Sequence, residues 1–266
     1  MNAIELLGVT LLHFLWEGFL IAAIYTIARR CVSSSEARYW LACAALFAMA
    51  LSPIATWASL RPVTVANLGI VSPSPSAHSL SEFHGGAALF FVIGYERVPS
   101  SWLSWIAAVW VAGVAIFGVR LAGGWVMARR LRRKQVRSAS PEWEQRFDRL
   151  RMRVQVSSPV RLLVSGLAQA PAVVGVLRPV VLVPAGALAR LVTEQMEALL
   201  LHELAHIRRY DHLVNAAQSI IETLLFYHPA VWWVSGHMRL ERELCCDDTV
   251  SRSPVMRRAM LGPLPK

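Results

Sequence analysis

The sequence predicts an α-helical membrane protein that carries an α+β domain on its cytoplasmic side. Three observations predict this. Three apolar stretches in the first half approach the about 20 residues that cross a bilayer. Lysine and arginine are spread unevenly over the segments between them. From about residue 141 the composition turns globular and ends in segments rich in His, Glu and Asp. The bulk numbers agree: 55% of the 266 residues are hydrophobic and 17% charged, with a mean hydropathy of +0.45. Soluble domains carry about 25% charge. A net charge of +10 on so few charged residues fits basic flanks resting on anionic headgroups. A basic nucleic-acid binder would carry many more charges, so no direct nucleic-acid binding is expected. Of the four cysteines, Cys31 and Cys43 stand alone and Cys245–Cys246 are adjacent. No CxxC occurs, so free thiols are expected rather than a disulfide framework or a cysteine zinc knuckle.

The apolar stretches cover about residues 6–28, 39–60 and 102–120. The first lacks the basic n-region and small-residue cleavage site of a signal peptide. Arg29, Arg30 and Arg38 lie between the first two stretches, and six basic residues from Arg129 to Arg137 follow the third. The Ser/Pro-rich segment 61–101 holds only Arg61 and Arg97. By the positive-inside rule the N-terminus is outside, the Ser/Pro loop is extracytoplasmic, and the remainder starts inside. The expected layout is a membrane domain over 1–122, a basic juxtamembrane segment over 123–140, a cytoplasmic domain over 141–253 and a short tail over 254–266.

Within the cytoplasmic part, "EWEQRFDRLRMRV" puts Trp143, Phe147 and Leu150 on one helical stripe. "VRLLVS" and "PAVVGVLRPVVLVPAG" are β-branched runs bounded by Pro and Gly, which predict strands with a tight turn near Leu177–Arg178. That hairpin, at about residues 172–183, offers an edge for an extended peptide, with plain core packing as the alternative. Thr193 is placed to N-cap the next helix, with Glu194 and Glu197 in its first turn. The apolar segment over about 213–233 is broken by Pro229, and Glu222 and His228 argue against a lipid-exposed crossing there. Two helices doubling back beside the membrane are expected instead of a fourth span.

"LLHELAHIRRYDH", residues 200–212, contains His202-Glu203-Leu204-Ala205-His206, an H-E-x-x-H pattern. Positions i and i+4 share one helix face, so both imidazoles can reach one zinc ion. Glu203 can then face a water in the open coordination position and accept its proton as it attacks a peptide carbonyl. Chance alone gives this pattern in about one chain in a hundred of this length. A catalytic zinc needs a third protein ligand, and His212, His228, His237, Glu241, Glu243 and Asp247 are the downstream candidates. His212 lies roughly 240° further round the helix than His206 and faces away. His228 precedes a helix break, where a capping role is the alternative. In "ERELCCDD" the i, i+4 pair Glu243 and Asp247 could present a ligand and a carboxylate that holds a ligand histidine's free N–H. Asp211 and His212 would finish or brace the first helix.

The ordered segments "LLHFLWEG", "PVVLVPAG", "LLHELAHIRRYDH", "FYHPAVWW" and "RLERELCCDD" resemble the membrane metallopeptidases of the BlaR/MecR antirepressor type. The resemblance covers residues 6 to about 250. It implies a zincin-like domain of the glutamate-ligand class, with Zn2+ held by His202, His206 and Glu243 and Glu203 as the base; Asp247 and Asp211, read from their positions, are the expected supporting residues. It also implies a bacterial inner-membrane, multi-pass protein that cleaves a cytoplasmic DNA-binding repressor, or itself, as part of signal transduction. A homodimer or a sensor partner is compatible with that role. The family commonly continues into another span and an extracytoplasmic sensor, whereas this sequence ends at "RRAMLGPLPK" and contains no S-x-x-K acylation motif. A short member without the antibiotic sensor is therefore expected. The other readings are a quality-control protease of the heat-shock or prenyl-processing type and a truncated, non-catalytic receptor. His13 and Glu17, spaced i, i+4 inside the first stretch, are expected either to make polar contacts between spans or to take part in signalling.

Overall fold

A computed structural model describes residues 2–60, 98–176 and 178–251. The Ser/Pro-rich segment 61–97, Leu177 of the expected turn, and the tail from residue 252 lie outside the described residues.

Among the described residues, three helices are long and apolar enough to cross a bilayer: α1 (Ala3–Arg30), α2 (Ser35–Leu60) and α3 (Ser100–Arg133). α1 begins with a capping box. The Asn2 side chain accepts from the Glu5 N–H at 2.8 Å, and the Glu5 carboxylate accepts from the Asn2 N–H at 3.1 Å. It ends on Arg29 and Arg30 at the negative end of its dipole. In mid-helix, Glu17 accepts hydroxyl hydrogen bonds from Ser52 and Thr56 of α2, which makes it a polar contact between the two helices. α3 does not stop near residue 120. Its good helix formers carry it through the basic run to Arg133, 34 residues or about 51 Å, well past a hydrocarbon core of about 30 Å.

Beyond α3 the basic segment contributes a strand that its composition did not suggest. β1 (Val136–Ser138) pairs antiparallel with β2 (Arg161–Ser165). Between them runs α4 (Pro141–Arg153), which has proline in its first turn. β3 (Ala172–Val174) and β4 (Val180–Pro184) form the expected antiparallel hairpin, and β2 and β4 pair in parallel. The sheet order is β1-β2-β4-β3, leaving β3 on an edge. β4 is buried throughout, as befits an interior strand of Val and Leu. After the short α5 (Ala185–Arg190) comes α6 (Thr193–Arg208), which carries the H-E-x-x-H pattern. Its N-cap is Val192; Thr193 is the first helical residue and makes no capping hydrogen bond, against the expectation for that threonine. Leu200, Leu201, Leu204 and Ile207 of α6 join Phe147, Leu150, Leu162, Val164, Val181 and Val183 in a core on the sheet.

The segment around Pro229 does double back, as α7 (Asp211–Leu224) and α8 (Pro229–Ser251). Its turn is not beside the apolar helices but among them. α7 advances about 21 Å, and Tyr227 then donates from its hydroxyl to the Leu11 carbonyl at 3.2 Å. His228 donates from Nε2 to the Leu15 carbonyl at 2.9 Å and accepts from the Ala230 N–H at 3.1 Å, capping α8. Two glycines admit this turn. A Cβ at Gly18 would lie 2.5 Å from the His228 Nε2, and one at Gly113 would overlap the Phe226 ring. The buried stripe of α8 (Val231, Val234, Met238, Cys245) packs with Phe14, Tyr25, Tyr39, Leu46 and Met49 in a second core.

Candidate metal centre

The centre lies where α6 meets α8. His202 and His206, one turn apart on α6, bring their Nε2 atoms to 3.2 Å from each other. Across from them, the stripe of α8 that faces the bundle leaves Glu243 and Asp247 off its buried side, aimed at α6. The Glu243 Oε2 is 3.5 Å from the His202 Nε2 and 3.8 Å from the His206 Nε2. One donor atom from each of His202, His206 and Glu243 fits within 4.8 Å of the others.

Each imidazole has a carboxylate on its far nitrogen. The His206 Nδ1 is 2.9 Å from Asp211 Oδ2, and the His202 Nδ1 is 3.3 Å from Asp247 Oδ1. A carboxylate on each Nδ1 favours the tautomer protonated there, which turns the Nε2 lone pairs toward the Glu243 carboxylate. In that tautomer three acceptors converge on one point, an arrangement that a cation between them relieves. Two nitrogens and one oxygen on facing helices, with Glu243 open to solvent, is a donor set that suits zinc with a free coordination position.

Asp211 owes its place to a backbone reversal. Tyr210, between α6 and α7, takes the left-handed conformation at φ 57°, sparsely populated for a residue with a Cβ. The chain turns there sharply enough to bring the Asp211 side chain, 3% exposed, back onto His206. The Tyr39 hydroxyl of α2 donates to its other oxygen at 2.9 Å. Cys246 lies 3.2 Å from the His206 Nδ1 and can donate weakly to Asp211. Burial pushes its thiol pKa up, so it stays a neutral neighbour.

Glu203 follows the first histidine and faces the sheet side, nearly buried. Burial pushes its carboxyl above the ordinary glutamate range, opposed by the two imidazoles and by a backbone contact to Val173 on the edge strand β3. Glu203 thus sits between the two histidines and the edge strand β3.

The other candidates are elsewhere. His212 lines a cleft between α3, β3 and α7, away from the histidine pair. His228 is the buried cap of α8, and the His237 Nδ1 bonds the Trp233 carbonyl at 2.9 Å. Glu241, fully buried, accepts from Arg29 and Arg38 at 3.0 Å each. Sequence reasoning placed Arg29 and Arg38 among the topology charges, and it treated Tyr39 only as the start of a span. Glu241 stood among the candidate ligands, but no local signal pointed to its distant partners. All four cysteines are free, as expected.

The family model described as BlaR1 peptidase M56 matches residues 12–259. A curated relative, the regulatory protein BlaR1 of Bacillus licheniformis, is 26% identical over 164 residues. The match covers 61% of this chain and 27% of the relative, so it spans about a quarter of that protein's length.

Proposed function

Because the chain belongs to the BlaR1 peptidase M56 family of metallopeptidases and its three long apolar helices mark a membrane protein, we propose that it is a membrane-embedded zinc endopeptidase. In this reading it cleaves a cytoplasmic DNA-binding repressor, or itself, in response to a signal. The observation that carries the reading is the convergence of His202, His206 and Glu243 on one point, with Glu203 alongside.

His202, His206 and Glu243 would hold Zn2+, and the ion would supply Lewis acidity toward a bound water and the substrate carbonyl. Asp211 and Asp247 keep the imidazole protons on Nδ1, so that both Nε2 lone pairs stay available. Glu203 accepts the attacking water's proton and returns it to the leaving amine. Its buried setting beside the sheet keeps that carboxylate close to the scissile bond. β3 supports the choice of an extended peptide substrate, since an edge strand next to Glu203 can pair with a strand of substrate. The positive-inside pattern supports an N-terminus outside and a cytoplasmic catalytic domain in a bacterial inner membrane. A zincin-like fold of the glutamate-ligand class is part of the same reading, as is a homodimer or sensor partner that delivers the signal.

The test is proteome-wide cleavage mapping in cells carrying either the parent or Glu203→Gln. One dominant repressor fragment that vanishes in the variant is expected. Many misfolded membrane fragments would instead assign a quality-control role, and identical profiles for parent and variant would remove the peptidase reading.

A further inference from the structure

Among the described residues, the C-terminal end of α1 and the N-terminal end of α2 touch α8, which carries Glu243, and the α6–α7 junction that follows His206. From α2, Tyr39 is fully buried, and its hydroxyl donates to Asp211 Oδ1 at 2.9 Å. Asp211 uses its other oxygen, Oδ2, to hold the His206 Nδ1 at 2.9 Å. The Arg209 guanidinium lies 4.4 Å above the Tyr39 ring and 3.7 Å from Asp211 Oδ1, closing the group from the α6 side. Arg38, which precedes Tyr39 on α2, and Arg29 of α1 grip the buried Glu241, two residues before Glu243. Ser35, at the start of α2, donates to Asp248 at 2.6 Å, next to Asp247.

Asp211 has two oxygens and a single task toward His206. A carboxylate on the flanking position of a tight turn can rotate about its χ2 torsion, which is broad. The Tyr39 hydrogen bond removes that freedom by holding Oδ1, so Oδ2 faces the imidazole and fixes both its tautomer and its plane. Outer partners of this kind commonly matter 10–100-fold in metal affinity. We propose that Tyr39 is a positioning residue for the metal centre, acting through Asp211 on His206, so that the membrane helix α2 sets the geometry of a ligand carried by the peptidase domain. The proposal rests on the zinc reading above.

The experiment uses the full chain solubilised in detergent, with zinc affinity measured by chelator competition and the visible spectrum of the cobalt-loaded protein as a second readout. Tyr39→Phe keeps the ring and deletes the hydroxyl. It should weaken zinc binding about 10–100-fold and shift the cobalt spectrum. In an Asp211→Asn background the same substitution should change affinity by less than about 2-fold, because the route is already cut. Glu17→Gln, which loosens another α1–α2 contact with no path to His206, should leave affinity at the parent value. Tyr39→Phe within about 2-fold of the parent overturns the proposal. So does an equal loss in both backgrounds, or an equal loss in Glu17→Gln. A parent protein that takes up no zinc overturns the metal reading itself, and this proposal with it.

Discussion

His202, Glu203 and His206 stand on a helix whose buried side packs against a sheet, whereas Glu243 and Asp247 stand on one whose buried side packs among the long apolar helices. The first group is local: three residues within five positions of α6, steadied by Leu200, Leu204 and Ile207 on Val164, Val181 and Val183. The second group depends on distant chain, through Val231, Val234 and Met238 against Tyr25, Tyr39 and Met49, and through the Arg29–Glu241–Arg38 clamp. In the proposed metal centre, this division ties the candidate third ligand, Glu243, to the arrangement of the long apolar helices. Any displacement of α1 and α2 relative to the sheet would reach Glu243 and Asp211 while the spacing of the H-E-x-x-H pair, held within α6, remains.

The comparison can be sharpened from either half. The largest effect belongs to Glu203→Gln, which should lower peptide hydrolysis about 10²–10⁴-fold while zinc content stays at the parent level. Retained cleavage would remove the base from the α6 half. The double variant Arg29→Ala/Arg38→Ala leaves the Glu241 carboxylate buried and unpaired, and should cost about 3–5 kcal/mol. Amide exchange should then quicken along α8 and leave β2 and β4 protected; a uniform loss of protection would mean that the halves are one unit. Leu204→Ala probes the other side. It should destabilise the sheet-packed core by about 2–5 kcal/mol, quickening exchange in β2, β4 and α6 before α1 and α2. Glu243→Ala removes an exposed carboxylate, so with both proteins stripped of metal its thermal unfolding in detergent should be within about 0.5 kcal/mol of the parent. Its zinc content should fall, and unchanged zinc would remove the third ligand. Smallest of all, Thr193→Ala should change stability by less than about 0.5 kcal/mol, because that hydroxyl caps nothing.

Much of this was legible because it is encoded over one or two turns. The pairs His202/His206 and Glu243/Asp247 follow from i, i+4 geometry alone, and the β3–β4 hairpin follows from β-branched runs between proline and glycine. The break at Pro229 was likewise visible, since proline can start α8 but not continue α7. The third apolar stretch runs on past Arg120 into the basic run, where arginine and leucine carry α3 to Arg133. Two details were misread for local reasons. Thr193 has the composition of a cap but entered the helix one position late. β1 is too short and too polar to announce itself as a strand.

The sequence by itself determined the three long apolar helices, the histidine pair with its neighbouring glutamate, and the acidic pair that faces them. Only the tertiary structure decided that the α7–α8 turn enters the helix bundle as far as Leu11 and Leu15, and that Glu241 is a clamp rather than a ligand. It also decided that Asp211 joins His206 to Tyr39. The physical reason is range. Backbone geometry fixes neighbours within a helix turn, but Tyr39 and Asp211 are 172 residues apart and Arg38 and Glu241 are 203 apart. Such pairs exist only once both cores have formed and burial has left each polar group with one place to find its partner.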